Sequence, residues 1–213
     1  MLEQLVKFFV VFFVVIEPLS IVPVFSSLTM GASEDYQRRM AVKATLIAAG
    51  ILLLFSLVGK PFLGVMGITV EAFRIFGGLL LFLIALEMVF ARESGTRTSS
   101  NEQAESRRRA DISVFPLAFP LIAGPGALVT ILLWVAPVSL TERPLLFAGM
   151  ALCAALVLAI TLAFMLLAAR LMRVIGVTGA NVANRLLGVV LGALAVQFVL
   201  DGVRSSFPSV VGN

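Results

Sequence analysis

The sequence predicts an all-α membrane protein whose six transmembrane helices form two inverted repeats of three, with the first and fourth helices broken. Three observations lead to this prediction. Of the 213 residues, 60% are hydrophobic and only 13% are charged, which is more apolar surface than a water-soluble fold can bury. Six apolar segments are long enough to cross a bilayer. Paired motifs also recur in the two halves of the chain.

Each predicted span is close in length to the about 20 apolar residues that a helix needs to cross the hydrocarbon core, or is longer. The six spans are Leu5–Leu28, Ala41–Val58, Phe73–Phe90, Ser113–Val135, Leu145–Ala168 and Asn181–Leu200. The first is too long for the core of a cleaved signal peptide, so we expect it to be a membrane helix. We expect a single membrane domain over 1–213, with repeats at 1–90 and 112–213 joined by a polar loop at 91–111.

The positions of the basic residues predict how the chain is oriented. If both termini are outside, 5 of the 16 Lys and Arg residues lie on the outer side, and the other 11 lie in inner loops. The outer five are Lys7, Lys60, Arg74, Arg143 and Arg204. Because short cytoplasmic loops are enriched in Lys and Arg, we expect an inner (plasma) membrane protein with periplasmic termini and a cytoplasmic loop at 91–111.

A proline pair occurs at matching places in the first and fourth spans. The first span contains Pro18-Leu-Ser-Ile-Val-Pro23, and the fourth contains Pro120-Leu-Ile-Ala-Gly-Pro125. Proline lacks an N–H group and clashes with the carbonyl four residues earlier, so both spans are predicted to lose regular winding. Inside a bilayer, irregular backbone persists only where it is buried in protein or lines a wet cavity.

A second matched pair precedes the third and sixth spans. Gly67-Ile-Thr69 is followed by Arg74 and Gly77, and Gly176-Val-Thr178 is followed by Arg185 and Gly188. In both cases the arginine precedes the glycine by three residues. Since each half holds an odd number of spans, the second half must insert upside down, which is a signature of secondary transporters.

Broken helices present backbone groups that can bind a solute. Unwound carbonyls suit an ammonium group or cation, and the N-terminal ends of half-helices suit a carboxylate. Both together suit a zwitterion such as an amino acid. The alternative is that each proline pair is only a kink satisfied by neighbouring helices. The predicted substrate-binding residues are Glu17, Pro18, Ser20, Pro23, Pro120, Ala123, Gly124, Pro125 and Gly126.

Glu17 is a carboxylate near the middle of the first span. An ionisable group at that depth is costly and is a functional candidate by default. It is predicted to bind an ammonium group or to carry a coupling proton; the alternative is a neutral glutamic acid bonded to a carbonyl freed by proline, or passive lining of a wet cavity. Ser20 either donates to substrate or bonds its own backbone.

Four further polar residues have two interpretations each. Arg74 and Arg185 are predicted to gate the two mouths or to cap half-helices, or else to anchor their spans by reaching to water. Asn184 and Gln197 are predicted to give polar support between helices, with substrate contact as the alternative. The glycines that follow the arginines are predicted to allow close helix packing and to take no part in chemistry.

The composition also excludes several chemistries. There is no histidine, which removes Ser-His nucleophiles, His-ligated zinc and His proton relays. The single cysteine, Cys153, cannot form the dithiol of a thiol-disulfide carrier and is expected to fill core space. No enzymatic activity, cofactor, metal site or nucleic-acid partner is therefore expected. The expected partners are a small-molecule substrate and the lipid bilayer, and the oligomeric state is left open.

Four stretches of the chain carry a recognisable set of motifs. They are Glu17-Pro18…Pro23, Gly67-Ile-Thr…Arg74-Ile-Phe-Gly-Gly78, Ser113-Val-Phe-Pro-Leu-Ala-Phe-Pro-Leu-Ile-Ala-Gly-Pro-Gly126 and Asn184-Arg185-Leu-Leu-Gly188…Gln197-Phe198. Together they resemble the MarC family over essentially the whole chain. The resemblance implies a six-span inner-membrane protein of the LysE transporter superfamily. It also points to an archaeal relative that transports small neutral amino acids together with cations.

The first motif departs from the pattern common in that family, which reads Asp-Pro-x-Gly-Asn-x-Pro. Here Glu17 stands in place of Asp, Ser20 in place of Gly and Ile21 in place of Asn. The carboxylate is kept with one more methylene, whereas a polar side chain is lost, so the substrate is expected to differ from that of other members.

Residues and resemblance together predict a secondary transporter of small solutes. Small neutral amino acids are the predicted substrate class, with coupling to protons or another cation. The alternative is a channel or a membrane assembly protein, and an intramembrane enzyme is the less favoured third interpretation.

Overall fold

The computed structural model describes residues 1–90, 111–135, 138 and 143–207, and these residues form eight helices. The helices are α1 (Leu2–Ile16), α2 (Pro18–Leu28), α3 (Glu34–Val65), α4 (Val70–Phe90), α5 (Ser113–Ile122), α6 (Pro125–Trp134), α7 (Pro144–Leu166) and α8 (Ala168–Ser206). The all-α class is therefore confirmed. Apart from Asp111, the loop predicted at 91–111 lies outside the described residues.

The number of bilayer-length helices agrees with the sequence. Five segments of the described chain are long and apolar enough to cross a membrane, and the first of them, Leu2–Leu28, comprises α1 and α2. The α5–α6 pair adds a sixth if its two parts form one bent span. Several helices extend beyond the predicted apolar segments, because polar residues at the bilayer surface can continue a helix past the hydrocarbon core. The division into inverted repeats stays a prediction.

The packing of the helices follows a reciprocal pattern between the two halves. The most extensive pairing joins α4 and α8, the third span of each half. Helix α3 packs on α5 and α6, while α7 packs on α1 and α2, so the second span of each half covers the broken span of the other. The two broken spans are the most enclosed: 61% of the most apolar stretch of the first is buried, against 28% for α4 and α7, and most residues of α5 and α6 are buried as well.

Glycines make the close approach of α4 and α8 possible. A Cβ atom built on Gly78 would lie 2.8 Å from the carbonyl oxygen of Ala195, and one built on Gly188 would lie 2.8 Å from the Cβ of Met88. A Cβ on Gly202 would lie 2.6 Å from Cγ1 of Ile75. These contacts run in opposite directions along the two helices, so α4 and α8 are antiparallel. The predicted packing role of such glycines is consistent with these contacts.

The first span is interrupted at one residue. Glu17 adopts the left-handed conformation (φ 54°, ψ 63°), and its N–H still donates to the carbonyl of Phe13 at 3.0 Å. Pro18 follows as the first residue of α2, where a missing N–H removes no helical bond. The expectation that Pro23 also breaks the span is wrong, because α2 runs through it. The clashing carbonyl belongs to Leu19, in the first turn of α2, where the adjacent break leaves room to adjust.

The fourth span is interrupted over a longer stretch. Phe115 and Phe119 have extended backbones inside α5, and the Phe115–Pro116 and Phe119–Pro120 bonds are cis. The N–H of Ala123 donates to the carbonyl of Ala118, five residues earlier, at 2.8 Å. Helix α6 then starts at Pro125, and its axis is turned by 54° from that of α5. The predicted break in this span is therefore present and is larger than the one in the first span.

The Gly-x-Thr triplets before the third and sixth spans each begin with a glycine of positive φ. Gly67 (φ 69°) lies in the turn between α3 and α4, and Gly176 (φ 65°) interrupts α8. Glycine adopts this left-handed conformation without the steric penalty of a side chain. The portion of α8 that is apolar enough to span the membrane starts two residues later, at Thr178. The first glycine of each triplet therefore has the same left-handed φ angle.

Candidate functional site

The two helix breaks lie next to each other. A Cβ built on Gly126, in the first turn of α6, would lie 3.0 Å from Cγ1 of Val15 and 2.6 Å from Cδ2 of Leu81. Val15 precedes Glu17 by two residues, so the start of α6 packs against the end of α1. A Cβ on Gly124 would overlap the carbonyl oxygen of Pro120. The glycines at the break therefore permit close packing.

Glu17 is buried at this junction, with 1% of its surface exposed. The carboxylate lies near the middle of the 27-residue segment Leu2–Leu28, far from either membrane surface. Ala123, at the end of α5, is fully buried on the other side of the junction, and Pro18 is also buried. The structure thus places the break of the first span, at Glu17, beside the start of α6 at Gly126, while substrate binding by the predicted residues stays a prediction.

A hydrogen bond ties this region to the sixth span. The hydroxyl of Ser20, one turn after Glu17, donates to Oδ1 of Asn184 on α8 at 3.0 Å. The hydroxyl does not bond its own backbone, because its partner is a side chain of another helix, and a contact with substrate stays a prediction. Asn184 gives polar support between helices, as predicted. Sequence reasoning named both residues but did not pair them.

The remaining predicted residues lie away from the break. Gln197 is exposed and donates to Oδ1 of Asp201 at 2.8 Å, one turn along the same helix. Its predicted support between helices is therefore corrected to a bond within α8, which follows from the spacing of four residues. Arg185 is exposed beside Asn184. The gate or cap role predicted for Arg74 and Arg185 stays a prediction.

Arg74 lines a cleft that the sequence did not predict. The cleft has a volume of about 220 Å³ and is lined by Arg74, Leu133, Trp134, Phe198 and Asp201. Trp134 closes one wall, with its ring 6.2 Å from that of Phe8. The sequence held one signal: Arg74 and Asp201 are near the ends of the third and sixth spans that the predicted orientation places on the same outer side.

A second unpredicted feature joins the two halves at the predicted inner side. The ammonium group of Lys43 on α3 forms an ion pair with Oδ2 of Asp111, just before α5. The N–H of Ser113 donates to Oδ1 of Asp111 at 2.9 Å, and the hydroxyl of Ser113 donates to the same oxygen. The hydrogen bonds from Lys43 and Ser113 lower the pKa of Asp111 to about 2. No local sequence signal pairs residues 43 and 111.

These features define the class of the protein. They are bilayer-length apolar helices, exposed leucine and phenylalanine side chains, and internal helix breaks, one of which holds a buried carboxyl group. These are features of a polytopic integral membrane protein.

Comparison with known proteins gives the family. The chain belongs to the MarC family of integral membrane proteins, which it matches over residues 2–207. It is 37% identical to a UPF0056 membrane protein of Aquifex aeolicus, over 94% of this chain and 92% of the relative. It is 33% identical to the UPF0056 membrane protein YhcE of Escherichia coli, over 96% and 94%, and 33% identical to YvbG of Bacillus subtilis, over 98% of each chain. No solved structure matches the chain significantly.

Proposed function

We propose that the protein is a secondary transporter of small solutes, with small neutral amino acids as its substrates and with protons or another cation as the coupling ion. The observation that supports this most is the position of Glu17. Its carboxyl group is buried at the break of the first span, and the break of the fourth span packs against the same point. A protein that needed only to fold would replace this group with an apolar one, since burial of a carboxyl group at that depth is costly.

The chemistry at the junction suits a zwitterion. The start of α6 presents backbone N–H groups that no earlier helical turn uses, and these favour a carboxylate. Glu17 offers a carboxylate of its own to an ammonium group. Gly124 and Gly126 carry no side chain, so a small substrate can approach the backbone at the start of α6 closely once the neighbouring helices separate.

Access to this region requires the halves to move. Leu81 and Val15 occupy the space beside Gly126 in the present conformation. We propose that α6 separates from α1 and α4 to admit substrate from one side. On the other side, α2 and α8 are held by the bond between Ser20 and Asn184. If the contact of α6 with α1 and α4 breaks while the bond between Ser20 and Asn184 is kept, the site opens to one side only. This is alternating access, the property that separates a transporter from a channel.

We further propose that the protein lies in the inner membrane with both termini outside, and that its partners are the substrate and the lipid bilayer, with no nucleic acid and no catalysed reaction. The bias of Lys and Arg toward the predicted inner loops supports this orientation.

Uptake by reconstituted protein tests the proposal. Purified protein in proteoliposomes is expected to take up labelled glycine or alanine saturably, to show counterflow, and to respond to an imposed pH or sodium gradient. Glu17→Gln is expected to insert and fold normally but to lose gradient-driven uptake, because Gln can neither carry a proton nor pair with an ammonium group. Glu87→Gln is the matched control, since it changes the same chemical group on α4, away from the breaks.

Two results would contradict the proposal. Unchanged gradient dependence in Glu17→Gln would remove this carboxylate from the coupling mechanism. Conductance that rises linearly with concentration, without saturation or counterflow, would favour the channel alternative instead.

A further inference from the structure

The cleft beside Arg74 is connected to the helix breaks by one seam. Along α4 the seam passes Arg74, Gly77 and Leu81; along α6 it passes Leu133, Val129 and Gly126. Gly77 packs directly on Val129, and Leu81 packs on Gly126. Seven residues separate the two ends on each helix, which at about 1.5 Å per residue places the cleft about 10 Å from the break.

In the described chain, the two charged side chains of the cleft, Arg74 and Asp201, do not form an ion pair with each other. Within the described chain, no carboxylate oxygen lies within 4.0 Å of the Arg74 guanidinium, and the carboxylate of Asp201 accepts a side-chain hydrogen bond only from the uncharged Gln197 amide. Arg74 is on α4 and Asp201 is on α8, so rigid, closely packed helices hold the two charges. Both side chains are half-buried, which strengthens their attraction for a ligand compared with open solvent.

We propose that this cleft is a separate binding site for a small zwitterion, in which Arg74 binds the anionic group and Asp201 binds the ammonium group. Trp134 and Phe198 supply an apolar wall against which a short side chain or the ammonium group can lie. The volume of about 220 Å³ is below the roughly 300–1,000 Å³ of sites for drug-sized ligands, so the ligand is small.

The identification of the zwitterion as a free amino acid rests on the proposed transport function. In that case the cleft is the place where substrate first binds on the predicted outer side, before the α4–α6 seam opens toward Glu17. The headgroup of an ethanolamine phospholipid has the same chemistry, a phosphate next to a primary ammonium group, and the experiment must separate the two sources.

The cleft contains its own reporter, because Trp134 is the only tryptophan of the chain. Purified protein in detergent is titrated with glycine and alanine, and the emission of Trp134 is followed. A saturable change is expected with these zwitterions. Methylamine and acetate, which each carry one of the two charges, are expected to bind about tenfold more weakly or worse, since each loses one charge-assisted contact.

Variants of Arg74 and Asp201 then test whether these two charged residues bind the zwitterion. Arg74→Gln and Asp201→Asn are each expected to raise the apparent Kd about tenfold or more, and Arg74→Lys is expected to recover part of the affinity because it keeps the charge without the planar fork. Arg204→Gln is the matched control: Arg204 is exposed, lies one turn beyond Asp201, and does not line the cleft. Equal Kd values for wild type, Arg74→Gln and Asp201→Asn would overturn the assignment.

The same variants separate this inference from the proposed function. If uptake occurs and Arg74→Gln leaves its KM unchanged, the cleft is not a substrate site, although the protein remains a transporter. If no amino acid is transported but the zwitterion response persists and depends on Arg74, the cleft site stands and the proposed function fails. In nanodiscs, an emission change that needs ethanolamine lipid and is insensitive to free amino acids would overturn the amino-acid site and assign the cleft to a headgroup.

Discussion

Glu17 combines two unfavourable features in one residue. Its carboxyl group is buried near the middle of a membrane span, and its backbone is left-handed, which costs an L-residue about 1–2 kcal/mol. Strain of this kind persists only where the surrounding structure holds it in place, and it is concentrated at functional sites. The packing of Val15 against Gly126 on one side and the Ser20–Asn184 bond on the other provide that support.

The strain at this residue can be measured separately from the carboxylate. Glu17→Gly and Glu17→Ala both remove the carboxyl group, but only glycine adopts φ 54° without a Cβ clash. Glu17→Gly is therefore expected to be more stable than Glu17→Ala by about 1 kcal/mol. Thermal unfolding in detergent, followed by Trp134 fluorescence, checks this. Equal stability, or a more stable alanine variant, would show that the left-handed conformation carries no strain.

At Asp111 the relevant property is the pH dependence of stability. The folded pKa of about 2 lies below the ordinary value of 3.8, so the contribution of this carboxylate is fully present above about pH 4 and disappears as the pH falls toward 2. Asp111→Asn is expected to lower the melting temperature slightly at neutral pH, because the ion pair with Lys43 is half-exposed. The difference from wild type is expected to vanish near pH 2.

The matching cycle adds Lys43→Met alone and together with Asp111→Asn. Additive effects of the two substitutions at neutral pH would show that the ion pair does not couple the start of α5 to α3.

Sequence reasoning identified Glu17 and Ser20 as candidates but not their geometry, and it did not single out Asp111. The Glu17-Pro18 pair indicated a break in the first span, because proline disfavours the helical conformation of the preceding residue. It gave no basis for choosing between Pro18 and Pro23, since both lack an N–H group, and only the start of α2 at Pro18 decides which one interrupts the helix. Asn184, the partner of Ser20, is 164 positions away, and Lys43, the cation that pairs with Asp111, is 68 positions away, so no local pattern links either pair.

At the scale of elements, α4 and α8 form the most extensive contact between two helices in the described chain. In a membrane the attraction between helices comes from close van der Waals contact, since lipid is as apolar as the side chains. Gly78 brings α4 against the backbone of α8 at Ala195 and Val199, and Gly188 brings α8 against α4 in return. The glycine spacing in the sequence predicted such faces, whereas the identity of the partner helix required the structure.

This pairing predicts a contrast between two glycines. Gly78→Ala places a methyl group 2.8 Å from the carbonyl oxygen of Ala195, and the backbone of α8 must shift, so a destabilisation of about 1–3 kcal/mol is expected. Gly50→Ala on α3 is the control, because nothing lies within 4 Å of its new methyl group. It is expected to be neutral or slightly stabilising, since alanine favours helix. Similar melting temperatures for the two variants would contradict the close α4–α8 contact.

For the whole molecule, the central question is whether the halves are related by inversion. The reciprocal packing of α3 and α7 on the opposite broken spans is what such a relation would produce. The same relation would also produce the pairing of α4 with α8, because a two-fold axis that passes between two equivalent helices places them next to each other. The left-handed Gly67 and Gly176 then become equivalent points on opposite faces of the membrane.

Thr69 and Thr178 offer a matched test of this inversion, because each is exposed and lies two residues after its glycine. Each is changed to cysteine in a Cys153→Ala background, which removes the only native thiol. In intact cells a membrane-impermeant maleimide is expected to label Thr69→Cys, whereas Thr178→Cys is expected to react only after permeabilisation. The Cys153→Ala background controls for nonspecific labelling. Equal accessibility of the two positions from outside would rule out inverted halves. The proposed transport mechanism would then also fail, because it needs two equivalent directions from which one central site is exposed in turn.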